Sequence, residues 1–200
     1  MNKVYSGRLI VIEGLDKSGK TTQSNLLFDY LNKKYSGDVV LMSFPDYSTK
    51  IGSEIKGFLE GKRTYNNETK HILLSANRWE KKEVIEDHLR SGKIVIMNRY
   101  YQSNIAYGLA NGLEKDWLVN LDNGLPKEDI TIVLDVVPDV SIKRVTNNNF
   151  IPDDFERNRE FLMRARDEYI KLAKIYQWKI ICADVSMISI FNSILKILGE

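Results

Sequence analysis

The chain alternates between short, continuous apolar runs and longer stretches in which apolar residues recur at helical spacing. The apolar runs are rich in Ile and Val, which is typical of strands that helices cover on both faces of a sheet. This alternation predicts βαβ units around a parallel sheet. The predicted strands are Arg8–Glu13, Val39–Phe44, Lys93–Asn98, Asp129–Val136 and Lys179–Ala183. We therefore expect an α/β fold, a doubly wound five-stranded parallel sheet with helices on both faces.

The amphipathic stretches between and after these runs predict helices. They are Lys20–Tyr35, Gly52–Glu60, Asn67–Ser91, Gln102–Asn111, Lys115–Asp122, Asp139–Asn147, Phe155–Gln177 and Ser186–Leu198. The chain has 200 residues, which make one ordinary α/β domain with a substantial core. We therefore expect a single domain over residues 1–200.

One polar stretch interrupts the helical pattern near the end of the chain. It reads VTNNNFIPDDFERNREF, from Val145 to Phe161, with three consecutive Asn residues and a Pro. These residues favour an exposed loop. Its arginines and acids also suit a lid over a phosphate site, at about residues 145–160. The alternative is a tolerated surface insertion.

Composition and charge narrow the class of protein. Hydrophobic residues make up 43% of the chain and charged residues 28%, as in soluble globular proteins. The net charge of +2 is spread along the chain, which argues against a nucleic-acid partner but allows a small anionic ligand. The single Cys182 cannot form an intramolecular disulfide, which indicates a reducing compartment. No apolar run is long enough for a signal peptide or a membrane span, so we expect a cytoplasmic protein with no membrane partner.

The motif GLDKSGKT, Gly14 to Thr21, follows the first predicted strand and opens the first predicted helix. It matches the phosphate-loop pattern, in which glycines let backbone N–H groups point at phosphate oxygens and the helix N terminus adds a favourable dipole. Lys20 can then reach the β- and γ-phosphates, and the Thr21 hydroxyl can coordinate Mg²⁺. The motif predicts a nucleoside triphosphate site. The alternative is that Gly14 and Gly19 only shape a turn.

Two charged residues, Asp16 and Lys17, lie inside the loop and are expected to interact with different groups. A carboxylate is repelled by phosphates, so Asp16 should face a hydroxyl or a cation, such as a group on a second ligand. Lys17 adds a positive charge where the transferring phosphoryl group is expected. The alternative for Asp16 is a solvated loop residue or a helix cap.

Four further segments indicate which kind of molecule accepts the phosphoryl group. They read SFPDYST (Ser43–Thr49), LLSANRWE (Leu73–Glu80), VIMNRYYQSNIAYG (Val95–Gly108) and NGLPKEDITIVLDV (Asn123–Val136). Together with EGLDKSGKTTQ, they give a chain that resembles the thymidylate kinase family along nearly its whole length. The resemblance implies a P-loop NTPase fold, ATP and Mg²⁺ as cofactors, phosphorylation of dTMP to dTDP, and a homodimer.

The resemblance also implies the residues of the ATP site and the catalytic residues. The ATP-binding residues would be Gly14, Leu15, Asp16, Lys17, Ser18, Gly19, Lys20, Thr21, Thr22 and Arg144, the last near the adenine. The catalytic residues would be Lys20, Arg99, Lys17 and Asp16. Thr21, and Asn98 through a water, would hold the metal. Catalysis would then come from positioning and charge neutralisation.

The implied dTMP site collects residues from several segments. They are Asp16, Phe44, Tyr47, Leu74, Arg78, Arg99, Ser103, Asn104 and Tyr107. By resemblance, Asp16 takes the acceptor's 3′-hydroxyl, Arg78 donates to the thymine O4, and Arg99 clamps the acceptor phosphate. Phe44 walls the base pocket, while Ser103 and Asn104 meet the polar edge of the base. Tyr107 crowds the sugar 2′ carbon and disfavours a ribonucleotide.

Some of these residues have simpler interpretations. Arg78 could form a surface ion pair with Glu80 or Asp87, and Phe44 and Tyr107 could be ordinary core aromatics. Arg99, in contrast, follows a strand end, where ligands bind in open parallel sheets.

Three positions depart from the family pattern. Tyr47 stands where many members have Arg, and Leu74 replaces a Phe that stacks on thymine at a gain of about 1 kcal/mol. Asn98 replaces the acid that precedes the arginine of the Asp-Arg-Tyr motif. The loss of Phe favours a broader deoxynucleotide or deoxynucleoside kinase, and Asn98 with Tyr47 favours a catalytically weak nucleotide-binding protein. Both alternatives stay open at this point.

Overall fold

The computed structural model describes residues 5–137 and 159–200. Its elements are β1 (Arg8–Gly14), α1 (Lys20–Lys34), β2 (Val39–Ser43), α2 (Lys50–Leu59), α3 (Asn67–Trp79), α4 (Lys82–Arg90), β3 (Ile94–Asn98), α5 (Tyr101–Ala110), α6 (Lys115–Leu121), β4 (Ile130–Asp135), α7 (Arg159–Tyr176), β5 (Lys179–Cys182) and α8 (Met187–Leu198). The predicted helix at 139–147 and nearly all of the predicted lid lie outside the described residues.

The five strands form one parallel sheet in the order β2-β3-β1-β4-β5. β1 is central and pairs with β3 on one side and β4 on the other, so that Ile12 lies opposite Asn98 and Ile132. Every predicted strand matches an observed one to within a residue at each end. The carboxyl ends of β1 and β3 therefore meet at one edge of the sheet, where ligands bind in folds of this kind.

Helices cover both faces of the sheet, as β1 shows. Its residues alternate in direction, so that Ile10 and Ile12 enter one apolar cluster while Leu9 and Val11 enter another. All four side chains are at most 1% exposed. Burial on both faces explains why β1 reads as a continuous apolar run. The predicted fold class is confirmed.

The predicted helix over Asn67–Ser91 is wrong in one respect, because two helices occupy this range. α3 ends at Trp79 and α4 begins at Lys82. The Lys81 amide bonds to the Arg78 carbonyl, which tightens the last turn, and the Lys81 side chain reaches Asp46 at 2.9 Å. At this break Lys81 contacts Asp46, a residue from a distant segment of the chain. Helical periodicity is a local pattern and does not reveal such a contact.

No helix within residues 5–137 and 159–200 is both long enough and apolar enough to cross a membrane.

The turn after β1 depends on a glycine. Gly14 has a φ of 138°, and a methyl group on it would lie 2.4 Å from the Leu134 carbonyl oxygen of β4. Gly61 also has a positive φ, 74°, but a methyl group there would meet no atom within 4 Å. A side chain at Gly61 would therefore meet backbone strain alone, whereas a side chain at Gly14 would meet both backbone strain and a steric clash.

We predict that Gly61→Ala costs about 1 kcal/mol of unfolding free energy, the cost of left-handed backbone alone. Gly14→Ala should cost clearly more, because the β4 carbonyl cannot retract without breaking the sheet. Urea titration of both variants measures the difference. Equal losses would contradict the close approach of β4 to Gly14.

Candidate active site

The phosphate loop runs from the end of β1 to the start of α1. Gly19, with a φ of 99°, is the N-cap of α1 and carries no side chain that could occupy the helix N terminus. Residues Asp16 to Thr22 line one cavity, while Leu15 is buried beneath the loop. The arrangement provides an anion site made of backbone N–H groups and a helix N terminus.

The two lysines of this loop are distinguished by burial in one case and by backbone conformation in the other. The Lys20 side chain is largely buried, and its ammonium donates to the Leu15 carbonyl oxygen at 2.7 Å. Lys17 has a φ of 58°, a left-handed conformation that is uncommon for a residue with a side chain and that recurs at functional sites. Both lie on the wall of the phosphate-loop cavity.

Asp16 faces a cation and a hydroxyl, as the sequence predicted. Its carboxylate accepts from Arg99 Nη2 at 2.5 Å and from the Tyr107 hydroxyl at 3.2 Å. Burial raises the pKa of Asp16, but the charges of Arg99 and Lys20 outweigh that effect and lower the pKa to about 2. Asp16 is therefore ionised at neutral pH.

Arg99 is held at both ends of its guanidinium group. Nη2 binds Asp16, and Nη1 donates to the Ser103 hydroxyl at 3.0 Å. The backbone of Arg99 has a φ of 67°, and its amide donates to the Ile12 carbonyl of β1 at 3.0 Å. A strained backbone thus directs the side chain across the strand ends toward the phosphate loop.

Glu13 is a residue whose role the sequence did not reveal. It is fully buried and accepts from the backbone amides of Tyr100 and Ser103, and from the Ser103 and Tyr169 hydroxyls at 2.6 and 2.8 Å. It also lies 4.0 Å from Arg99. The only signal was an acid inside an apolar strand. Buried carboxylates need such partners, so Glu13 organises the loop after β3.

A second cavity adjoins the phosphate loop. All nine residues predicted for dTMP line it: Asp16, Phe44, Tyr47, Leu74, Arg78, Arg99, Ser103, Asn104 and Tyr107. Pro45, Leu59 and Tyr100 complete the wall. Phe44 and Tyr107 are each 5% exposed, so they are core aromatics that also face the cavity. The individual contacts with a ligand stay predictions.

Arg78 is not part of a surface ion pair. It is 3% exposed, and its Nε and Nη2 atoms bind both oxygens of the buried Asp122 at 3.0 and 2.7 Å. The Ser75 hydroxyl adds a contact to Asp122 at 2.9 Å. The carboxylate takes the Nε edge of the guanidinium group, which leaves the N–H groups of Nη1 and the second N–H of Nη2 as donors for the cavity. Asp122 was not identified from the sequence.

Asn104 is fixed by His71, to which the sequence assigned no role. The Asn104 Oδ1 atom lies 2.6 Å from His71 Nδ1, and the Asn111 amide nitrogen lies 3.2 Å from Nε2. Burial lowers the pKa of His71 to about 4, so the ring is neutral at physiological pH. A neutral ring with a proton on Nδ1 satisfies both contacts. His71 therefore holds Asn104 in its place on the cavity wall.

Asn98 ends β3 beside the first turn of α1. Its Nδ2 atom donates to the Thr21 hydroxyl oxygen at 3.2 Å. Its Oδ1 atom is buried and has no hydrogen-bond partner among the described residues. The two predicted metal-site residues are thus in contact with each other.

The remaining predicted positions fall outside the cavities or outside the described residues. Gly14, the last residue of β1, does not line the phosphate-loop cavity, and Arg144 is not among the described residues. Val185 and Met187, which the sequence did not single out, line the phosphate-loop cavity next to the loop.

A phosphate loop at the carboxyl edge of a parallel sheet, with a second cavity of mixed apolar and polar lining beside it, defines a P-loop α/β protein with two adjacent cavities. Comparison with known proteins agrees. The family model described as thymidylate kinase matches residues 12–194. The chain therefore belongs to the thymidylate kinase family.

Individual relatives are similar over most of the chain. The chain is 42% identical to the thymidylate kinase of Schizosaccharomyces pombe over 72% of its own length and 68% of that protein's. It is 37% identical to the thymidylate kinase of Plasmodium falciparum, over 95% and 89%. The solved structure of thymidylate kinase from Candida albicans superposes with a TM-score of 0.84 at 31% identity, covering 96% of this chain and 91% of that one.

The lowered pKa of Asp16 gives a testable pH dependence of stability. Because its pKa is about 2 in the folded protein against 3.8 ordinarily, the carboxylate stabilises the fold above about pH 4. That contribution, about 2 kcal/mol, is lost as the pH falls toward 2. We therefore predict that Asp16→Asn is less stable than the original protein at neutral pH, and that the difference shrinks in acid.

Denaturant titrations at several pH values measure this difference without ligands. Asp38→Asn, at an exposed site, serves as the control and should show little difference at any pH. A gap between Asp16→Asn and the original protein that does not change with pH would show that the ion pair with Arg99 is not its source.

Proposed function

We propose that the chain transfers the γ-phosphoryl group of ATP to dTMP in the presence of Mg²⁺. One observation carries this proposal: the phosphate-loop cavity and the second cavity share Asp16 and Arg99. A donor phosphate on the loop and an acceptor phosphate in the second cavity would meet at this shared wall. Family membership supports the choice of dTMP as the acceptor.

The residues of the chain would act by binding and orienting both substrates. Backbone N–H groups of the phosphate loop, with Lys20, hold the donor phosphates, and Lys17 places a further positive charge near the transferred group. Arg99 orients the acceptor phosphate, and its guanidinium group is already aligned by Asp16 and Ser103. Such prior alignment lowers the entropic cost of bringing the reacting groups together.

The site also fits a magnesium ion. The Thr21 hydroxyl would be the direct protein ligand, and the buried Asn98 Oδ1 atom could accept a hydrogen bond from metal-bound water. Mg²⁺, when bound, supplies positive charge that neutralises the phosphate oxygens. Asn98 lacks the charge of the acid usual in the family, so Thr21 and the phosphates would provide most of the attraction.

The acceptor cavity supports a deoxynucleotide with an apolar-faced base. Phe44 and Leu74 offer apolar walls, and Arg78 offers donors. The Tyr107 hydroxyl binds Asp16, and we expect its ring to crowd a 2′ substituent of the acceptor sugar. Leu74 in place of an aromatic residue favours the second candidate function, a broader deoxynucleotide or deoxynucleoside kinase. Broad substrate specificity is reported for the Candida albicans enzyme.

Several further assignments belong to the same proposal. Arg144 would lie near the adenine, residues 145–160 would form a lid, and residues 1–200 would make one domain. A homodimer would cover apolar surface such as Ile72 of α3, which is 47% exposed. A cytoplasmic location rests on the single, exposed Cys182.

We predict ADP release with dTMP as acceptor, and a weaker response with dUMP, dGMP or thymidine. Lys20→Ala should nearly abolish turnover while the circular dichroism spectrum is retained, because Lys20 has a phosphate to bind and does not belong to the apolar core of the sheet. A coupled assay of ADP release, run on both proteins, measures these rates.

The outcomes separate the candidate functions. Activity on thymidine without activity on dTMP would replace the proposal with a nucleoside kinase. Tight ATP binding without turnover on any acceptor would indicate a nucleotide-binding protein. Near-normal turnover of Lys20→Ala would remove Lys20 from the site.

We also predict that Asn98→Asp lowers the Mg²⁺ concentration for half-maximal rate several-fold and leaves acceptor preference unchanged. The new carboxylate keeps the shape of Asn98 and adds Coulomb attraction for the ion. Mg²⁺ titration at fixed ATP provides the test. Asn120→Asp, an exposed change of equal charge on α6, is the control. Coincident curves for Asn98→Asp and the original protein would exclude Asn98 from the metal site.

A further inference from the structure

Asn77 lies on α3 next to Arg78, and it is fully buried. Its Oδ1 atom accepts from the Asp46 amide at 2.7 Å. Its Nδ2 atom donates toward the Asp46 carbonyl at 3.2 Å and the Thr49 hydroxyl at 3.0 Å. The Nδ2 atom also donates to the Glu80 carboxylate at 3.2 Å. One carboxamide thus binds both backbone polar groups of a single residue, Asp46, which lies 31 residues away in the chain.

The segment that Asn77 binds is joined tightly to α2. The Thr49 hydroxyl, besides meeting Asn77, caps α2 by accepting from the Gly52 amide at 2.9 Å. A methyl group on Gly52 would lie 1.8 Å from the Asp46 carbonyl oxygen, so the turn and the helix are in direct backbone contact. The turn and α2 therefore behave as one packed unit.

This unit forms one wall of the acceptor cavity. Phe44, Pro45 and Tyr47 come from the turn, and Leu59 comes from the last residue of α2. The facing wall includes Leu74 and Arg78 of α3. Asn77 belongs to the same helix but does not line the cavity, so it joins the two walls from behind.

We propose that Asn77 is a positioning residue that sets the separation of these two walls, and with it the fit of the acceptor, without touching either substrate. The kinetic part of this inference rests on the proposed function. The structural part concerns the turn at residues 44–49 alone and holds for any ligand of the cavity.

A second polar link between the turn and this region is more exposed to water. Lys81 binds Asp46 at 2.9 Å, but the two side chains are 27% and 26% exposed. Water competes for a partly exposed ion pair of this kind. Asn77 itself is fully buried, so water replaces its contacts less readily, and their loss removes the partner of the Asp46 amide and leaves the Asp46 carbonyl with the longer contact from the Thr49 hydroxyl, 3.4 Å.

Asn77→Ala tests the proposal, with Asn66→Ala as the matched control. Asn66 is the N-cap of the same helix and accepts from the Thr69 amide at 2.9 Å, far from the turn. Both variants remove one Asn that supports α3, so both should lower the melting temperature. Only Asn77→Ala should loosen the turn.

The first measurement is hydrogen exchange in the absence of ligands. We expect the Asp46 amide, and peptides covering residues 43–52, to exchange on the order of tenfold faster in Asn77→Ala than in the original protein. Asn66→Ala should leave their exchange unchanged. Unchanged exchange of residues 43–52 in Asn77→Ala would overturn the proposal, whatever the enzyme's activity.

The second measurement separates the two substrates. For Asn77→Ala, the KM for dTMP should rise on the order of tenfold while the KM for ATP stays within about twofold. Phe44, Pro45 and Tyr47 of the turn border both cavities, but Leu59, Leu74 and Arg78 of the two walls line the acceptor cavity and not the phosphate-loop cavity. Equal rises of both KM values would also overturn the proposal. Failure of the original protein to use dTMP would refute the proposed function, and the exchange data would still decide the role of Asn77.

Asn77→Asp covers the case in which the alanine variant does not fold. It keeps the acceptor for the Asp46 amide but loses the donor to the Asp46 carbonyl and Thr49. We expect a partial increase of hydrogen exchange in the turn. The KM for dTMP should again rise, while the KM for ATP should stay nearly the same. No change in either quantity would contradict the proposal.

Discussion

The ion pair between Asp16 and Arg99 is the interaction on which the rest of the site depends. It joins the phosphate loop after β1 to the loop after β3 at 2.5 Å, at the wall that the two cavities share. A carboxylate inside a phosphate-binding loop would repel its ligand if it stood alone. Paired with Arg99, it becomes part of a neutral unit that leaves Lys17 and Lys20 to attract the phosphates.

This pair is supported by Glu13 and Tyr169, which line neither of the two cavities. Glu13, buried at the end of β1, gathers the amides and hydroxyls of the loop after β3, and Tyr169 of α7 adds its hydroxyl. Burial and the nearby Glu13 raise the pKa of Tyr169, so it remains a donor. Arg99 can therefore hold an unfavourable backbone conformation, because the surrounding bonds offset its strain.

The acceptor side is organised by one stretch of α3. Ser75 and Arg78 bind Asp122, and the Trp79 ring nitrogen binds the Leu121 carbonyl at 2.8 Å. Asn77 points the other way, to the turn at residues 44–49. α3 is thus bound on one side to the end of α6 and on the other side to the turn, which lines the acceptor cavity. Tyr47 and Leu74 line the acceptor cavity but are not partners in these four hydrogen bonds.

The sequence alone determined the features that depend on neighbours in the chain. The strands follow from continuous apolar runs, and the phosphate loop follows from its spaced glycines, Lys20 and Thr21. Residues that share the acceptor cavity could be named only through resemblance to a family. The tertiary structure decided the partners: Asp16 with Arg99, 83 residues apart, Arg78 with Asp122, 44 apart, and the break between α3 and α4. Such contacts depend on the strand order β2-β3-β1-β4-β5, and hydrophobic periodicity predicts each element without predicting which elements become neighbours.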